Sequence, residues 1–279
     1  MTRPITLRLQ AEQLSDGLFR SQVERGGVRH DDANLFVTAL VLREMRHCDV
    51  GGGWRAVALD ALAREAQLRP DGACGFWPGA LRPAWAARVP ADVDDTALVL
   101  AELFRHGRIS RAIALRRAVL ALLPCRTARQ DRGTAPNWIV AGCFRTWIDQ
   151  AGSTRANPVD CCVNANVAAL FALLGAKHLP GFAQAIATIE AGLAWAGSDA
   201  RRLDALTPFY PAPRLLLAAL DHAVECGAAE LGQAASQLRS LAPAILAGAP
   251  GLCRDAWGKC TWHAPVLSLI SAAPAPLAA

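Results

Sequence analysis

Tyrosine occurs once in this chain and aromatic residues supply only 6% of it, too little ring surface for a sheet protein built on aromatic and β-branched strands. Charge is also scarce. At 19% charged against 53% hydrophobic, intrinsic disorder is excluded as the main state. Long apolar runs are missing too: Arg43, Glu102, Arg116 and Lys177 interrupt the most hydrophobic stretches before any reaches the ~18 residues of a membrane span. The first 22 residues have no continuous apolar block or cleavage site of a secretory signal, so a soluble, cytoplasmic protein is expected. No CxxC spacing occurs among the nine cysteines, which predicts reduced, mostly buried thiols instead of a disulfide framework. Phosphate-loop, HExxH, GxSxG and dinucleotide fingerprints are absent, which argues against nucleotide, metalloprotease and esterase chemistry. Arginine is spread along the chain without a dense basic stripe, so no nucleic-acid partner is expected, although a net charge of +5 suits an anionic ligand.

What is present is alanine, leucine and helical periodicity. The spacing predicts about eleven helices, near 10–22, 32–47, 54–68, 94–106, 110–123, 138–150, 161–174, 180–196, 209–226, 228–247 and 262–272. In the helix after Ser110, Leu115, Ala118, Val119 and Leu122 are expected to form the buried face. Three helices open alike, with Asp32 and Asn34, Asp94 and Asp95, or Asn164 and Asn166 ahead of a small apolar run, where a side-chain oxygen can cap free N–H groups. The last two starts are about seventy residues apart, the scale of a helical hairpin plus a long connection. The expected fold is therefore all-α: one α/α toroid of about six hairpins over residues 1–271, with an open helical solenoid as the competing architecture and 272–279 as a frayed tail.

The sharpest motif is Asp92-Val93-Asp94-Asp95-Thr96-Ala97. Three carboxylates within four residues oppose one another's ionisation, so at least one should keep its proton at neutral pH and could act as a general acid toward an alkene or epoxide. The plain alternative is a helix cap on a solvated surface. This string resembles the DxDD-T-A motif of the class II terpene cyclases, the group of squalene–hopene cyclase and copalyl diphosphate synthase. Upstream, Gln67 through Gly75 to Trp77 resembles the glutamine–tryptophan repeat of the squalene cyclases. The resemblance covers residues 67–97 and implies that Asp94 is the proton donor, tuned and oriented by Asp92 and Asp95, with no metal cofactor. It also implies a hydrophobic substrate, such as an isoprenoid or its diphosphate, in a cavity lined by aromatics.

Trp77, Trp85, Trp138, Phe209 and Tyr210 are the candidates for that lining, with Trp147 and Trp262; ring faces stabilise developing cations. Each also has an ordinary reading as core packing. His106 and His263 are the candidates for hydrogen-bonding the acid. Asn166 is expected to face a ligand while Asn164 caps, unless both serve interhelical hydrogen bonds. One toroid is short for such an enzyme. A homodimer, a second subunit, peripheral membrane contact or a small substrate would then have to keep the site dry.

Two other functions compete. Asp160, Cys162 and His263 resemble the zinc-ligand set of protein prenyltransferase β subunits, a second toroid family, which would make zinc the cofactor; ordinary capping by Asp160 and a buried cysteine explain the same residues. A toroid that binds a hydrophobic ligand or a protein without catalysis is the third reading.

Overall fold

The structure, a computed structural model, describes residues 5–46, 53–87, 89–128, 136–148, 157–255 and 258–271; the 272–279 tail lies outside them. Twelve helices and four short strands occur among the described residues. The helices are α1 (Ile5–Glu12), α2 (Leu35–Glu44), α3 (Trp54–Leu68), α4 (Val93–Arg105), α5 (Arg111–Leu122), α6 (Cys161–Leu173), α7 (Phe182–Ala196), α8 (Ala200–Leu206), α9 (Pro213–Glu225), α10 (Gly232–Arg239), α11 (Pro243–Ala247) and α12 (Pro265–Ser271). The strands are β1 (Arg20–Arg25), β2 (Val28–Ala33), β3 (Cys253–Arg254) and β4 (Cys260–His263). None of the helices is long and apolar enough to cross a membrane.

The helices form two layers. In the inner row α2 packs on α4, α4 on α6 and α6 on α9, with α12 beyond α2 and α11 beyond α9. Outer helices lie against this row: α3 on α2 and α4, α5 on α4, α7 on α6, and α10 on α9. Burial follows the layering. Three inner helices, α2, α4 and α6, are buried all round through Leu35–Arg43, Val93–Leu103 and Cys161–Phe171, where alanines allow close approach, whereas α9 buries one stripe. An outer helix hides one stripe only. In α5 that stripe is Ala114, Ala118, Ala121 and Leu122, turned from the expected face, so Val119 is exposed and Leu115 half-buried.

Three inner helices begin with one device. Asn34, Asp92 and Asp160 are the caps, accepting from Val37 N at 2.8 Å, Asp95 N at 2.7 Å and Cys162 N at 2.7 Å. The side chain four residues after each cap, Thr38, Thr96 or Asn164, hydrogen-bonds back to the cap carbonyl. The same side chain accepts a backbone N–H from the preceding loop: Phe19 at 3.1 Å, Cys74 at 2.9 Å and Phe144 at 2.9 Å. Each inner helix is thus fastened at its start to a loop more than a dozen residues upstream. The expectation that Asn164 caps is corrected, since Asp160 holds that place and Asn164 lies inside the helix.

The all-α expectation is corrected by an antiparallel sheet in the order β2-β1-β4-β3. The expected helix at 10–22 ends at Glu12, and its last residues enter β1, which turns into β2 at Gly26-Gly27. Both glycines have positive φ, as a tight two-residue hairpin requires. β4 pairs with β1 through Val23 and Trp262, joining the two ends of the chain where helix was expected from residue 262. Nor is there a helix over the described part of 138–150. There Val140, Phe144, Arg145, Thr146, Trp147 and Ile148 give their N–H groups to Thr188, Asn164, Cys125, Pro158, Asn157 and Ala91, tertiary acceptors that replace helical carbonyls. Residues 149 and 150 lie outside the described residues. The expected 228–247 helix is divided into α10 and α11 ahead of Pro243, and the short α8 was not expected.

Thr96→Val removes the acceptor for Cys74 N–H and the donor to Asp92 O while keeping side-chain shape. A loss of about 1–3 kcal/mol is expected by urea denaturation, with Thr96→Ser much closer to wild type; equal stability of Thr96→Val and wild type would contradict the fastening role.

Candidate active site

The first turn of α4 carries three buried carboxyls. Asp92 is the cap, its Oδ1 accepting from Asp95 N at 2.7 Å, and the two carboxyls influence one another's ionisation. Burial raises the pKa of both, and their mutual repulsion adds to it for Asp95, so the pair retains a proton well above the ordinary carboxylate range. Asp95 Oδ1 has no hydrogen-bond partner among the described residues.

Asp94 points elsewhere. Asn166 Nδ2 donates to its Oδ1 at 2.7 Å, and the Tyr210 hydroxyl donates to its Oδ2. Burial lifts its pKa; the two hydrogen bonds and the charge of Arg43 on α2 oppose that without cancelling it. Tyr210 itself is held neutral by burial and by the neighbouring Asp94. The carboxyl therefore resists ionisation but has two donors and the positive end of α4 in place for the carboxylate once formed. Asn166 Oδ1 is left without a partner among the described residues.

Tyr210 is placed by its own loop. Asp160 Oδ2 accepts from Phe209 N at 3.1 Å, Thr207 Oγ1 donates to Tyr210 O at 2.9 Å, and Arg254 N donates to Phe209 O at 2.8 Å. Burial pushes Asp160 up to about 7. Its two oxygens are spent on the α6 cap and on Phe209, so this side chain acts at a distance through Tyr210.

Aromatic rings continue outward from the acid. Phe36 on α2 lies edge-on to Tyr210 at 5.9 Å and stacks with Phe76 at 5.9 Å. Phe76 meets Trp77 at 4.7 Å and Trp262 at 5.0 Å. Asp32 holds both indoles, accepting from Trp77 Nε1 at 2.8 Å and Trp262 Nε1 at 3.2 Å. Trp85 closes the group against Trp77 and Trp262 but is 42% exposed and lies under Arg25. Phe209 packs on Trp147 at 5.2 Å.

Asp92, Asp94, Asp95, Asn166 and Tyr210 thus come together, with Phe209 adjoining and Trp77 and Trp85 joined to them through Phe76 and Phe36. Trp138 stacks on Trp195 at 6.2 Å beside α7, and no described contact links it to the acid. His106 is corrected as a partner of the acid: it caps the far end of α4, 3.5 Å from Glu102, roughly 18 Å along the helix from Asp94. His263 is corrected likewise, lying on β4 with Glu24 at 3.8 Å. Gln67 is exposed in α3, and the tie to the neighbouring helix start runs from Trp77 to Asp32. The zinc set does not assemble. Among the described residues no three His, Cys, Asp or Glu side chains are grouped to hold a metal, and Asp160 is already engaged. Phe36, Phe76, Asp32 and Arg43 were missed as site residues. Aligning the caps would have found Phe36, since it follows Asn34 by two positions as Asp94 follows Asp92.

No family model and no curated protein matches this sequence. Among solved structures, the chain is similar to the apo form of the type II terpene cyclase MstE from Scytonema, with a TM-score of 0.45 and 14% identity over 90% of this chain and 80% of that one. That is a distant structural likeness, and no residue role is taken from it.

The buried carboxyls set a sign for pH dependence. Asp160 binds its proton up to about 7 in the folded chain, but only up to about 3.9 when unfolded. Folding therefore favours the protonated form, and stability should fall as pH rises from about 4 to about 7, by up to about 1.4 kcal/mol per pH unit for each such group, then level off. Urea denaturation at pH 5 and pH 8 should show a larger loss of stability over that rise in wild type than in Asp160→Asn, the opposing contribution of neutral His222 being common to both; an equal or smaller loss in wild type would contradict the assignment.

Proposed function

We propose that the protein is a metal-independent, acid-initiated cyclase or isomerase of an isoprenoid or other alkene, with Asp94 as the proton donor. The supporting observation is the Asp94 carboxyl, buried at the start of α4 between Tyr210 and Asn166, with the Phe36–Phe76–Trp77 rings leading away from it. The two-layer helix arrangement is read as an α/α toroid, its inner row formed by α2, α4, α6 and α9.

In this reading the Asp94 O–H bond breaks as its proton forms a new C–H bond with one alkene carbon. The alkene π electrons supply that bond, leaving a cation on the other carbon. Asn166 and Tyr210 hold the carboxylate. A second alkene of the substrate attacks the cation to close a ring, and loss of a proton to water ends the reaction. Asp94 is then reprotonated from solvent, so the net change is an isomerisation. Ring faces along the substrate stabilise the positive charge while apolar walls exclude premature water.

Asp94→Asn should reduce product formation from a panel of linear isoprenoids by at least about 100-fold with the circular dichroism spectrum unchanged; retained turnover would sink the mechanism. Tyr210→Phe removes a donor that favours the carboxylate. Asp94 then becomes a weaker acid: turnover should drop by about 10–100-fold, and the pH above which activity declines should move upward. A downward move of that limb would contradict the assigned hydrogen bond.

A further inference from the structure

The inner helices carry a second buried polar group. Arg43 on α2 is only 7% exposed. Its Nε donates to Glu44 at 3.1 Å, while Nη1 and Nη2 meet no acceptor among the described residues. A guanidinium so deeply placed keeps little of its hydration, and the two nitrogens that the protein does not engage are open to another acceptor. The flanking cations are already engaged. Arg46 pairs with Glu225 across the ends of α2 and α9, and Arg105 lies 3.6 Å from Glu102 and donates to Cys226 Sγ.

The Arg46–Glu225 pair also fixes what faces Arg43. Arg43 is the α2 residue one turn before Arg46, and His222 is one turn back from Glu225 on α9, so the two stand near enough for the charge of Arg43 to act on the imidazole. His222 is 4% exposed, and its Nδ1 has no hydrogen-bond partner among the described residues; Glu225 Oε2 is 4.0 Å away. Burial, with Arg43, Arg105 and Arg46 nearby, keeps this imidazole neutral, with a pKa of about 2. Arg43 is seven residues along α2 from Phe36, about 10 Å of helix, and helical side chains lean back toward the N-terminus. The guanidinium therefore reaches toward the end where Phe36, Tyr210 and Asp94 meet.

We infer that Arg43, assisted by His222, binds the carboxylate of a short alkenoic acid whose alkene end is presented to Asp94. A planar guanidinium with two open nitrogens matches two carboxylate oxygens in parallel. A diphosphate fits less well, because its extra charge would be buried against cations already paired to Glu225 and Glu102. This inference rests on Asp94 being the acid for the same substrate.

The probes are geranic and farnesoic acids, geraniol and geranyl diphosphate, titrated into the full chain by calorimetry or tryptophan fluorescence. Wild type should bind at least one acid ten or more times more tightly than geraniol, and more tightly than the diphosphate. Arg43→Met should bring the acids to the level of geraniol without changing geraniol, and Arg43→Lys should keep part of the difference. Equal binding of acid and alcohol, tighter binding of the diphosphate, no binding of either acid, or a preference that survives Arg43→Met overturns the inference. Should Arg43→Met fail to fold, the wild-type panel and Arg43→Lys decide. Arg43-dependent binding of an acid without any product would leave the inference standing and remove the reading of Asp94 as acid. Product from geraniol without preference for an acid would do the reverse.

Discussion

Three carboxyls are buried at the start of one helix, and that arrangement constrains everything around it. Isolated in an apolar core such groups would be prohibitive as charges, so each must stay protonated or meet donors. Both solutions appear in α4. Asp92 caps the helix, burial and the nearby Asp92 hold the Asp95 carboxyl toward its protonated form, and Asp94 is met by Asn166 from α6 and Tyr210 from the loop before α9. Supplying those donors fixes the spacing of three inner helices, and Asp160 in turn fixes the loop that carries Tyr210. The repeated cap, with Thr38, Thr96 or Asn164 holding an upstream loop, keeps those helix starts level with one another.

Chemistry and architecture meet where the helix starts converge. The N-terminal turns of α4 and α6 meet where Asn166 donates to Asp94, and Phe36 near the start of α2 packs on Tyr210, the second donor to that carboxyl. Phe36 occupies on α2 the place that Asp94 has on α4, so an apolar ring and an acid stand side by side. Asp32 anchors Trp77 and Trp262 behind that ring by their indole N–H groups, leaving their faces to pack on Phe76. A substrate with an alkene at one end and an anionic group at the other would match the two buried features of the inner helices, Asp94 and Arg43.

The helical core was legible because its signal is local. Apolar spacing located α3 and α7 almost to the residue, and the paired acids marked the start of α4. Where secondary structure depends on distant partners, periodicity misled. β1 is six mostly polar residues that become a strand only when β2 and β4 pair with it, and 138–148 gives its N–H groups to distant acceptors. The site divides in the same way. Asp92, Asp94 and Asp95 announced themselves by crowding, and the single tyrosine and the odd Asn166 were visible as anomalies. That Tyr210 meets Asp94 across 116 residues could not be read from spacing. Arg43 registered only as an interruption of an apolar run, because the burial of a guanidinium is defined by its surroundings.

The central claim is that burial in the folded chain shifts Asp94 toward its protonated form, against the pull of its two hydrogen-bond donors and of Arg43. Infrared difference spectroscopy of wild type against Asp94→Asn tests it most directly, since the carbonyl stretch of a protonated carboxyl is distinct from the bands of a carboxylate. The protonated-carboxyl band belonging to Asp94 should persist to higher pH than that of an exposed aspartate before carboxylate bands replace it. Carboxylate bands alone, unchanged down to the pH at which an exposed aspartate takes up its proton, would contradict it.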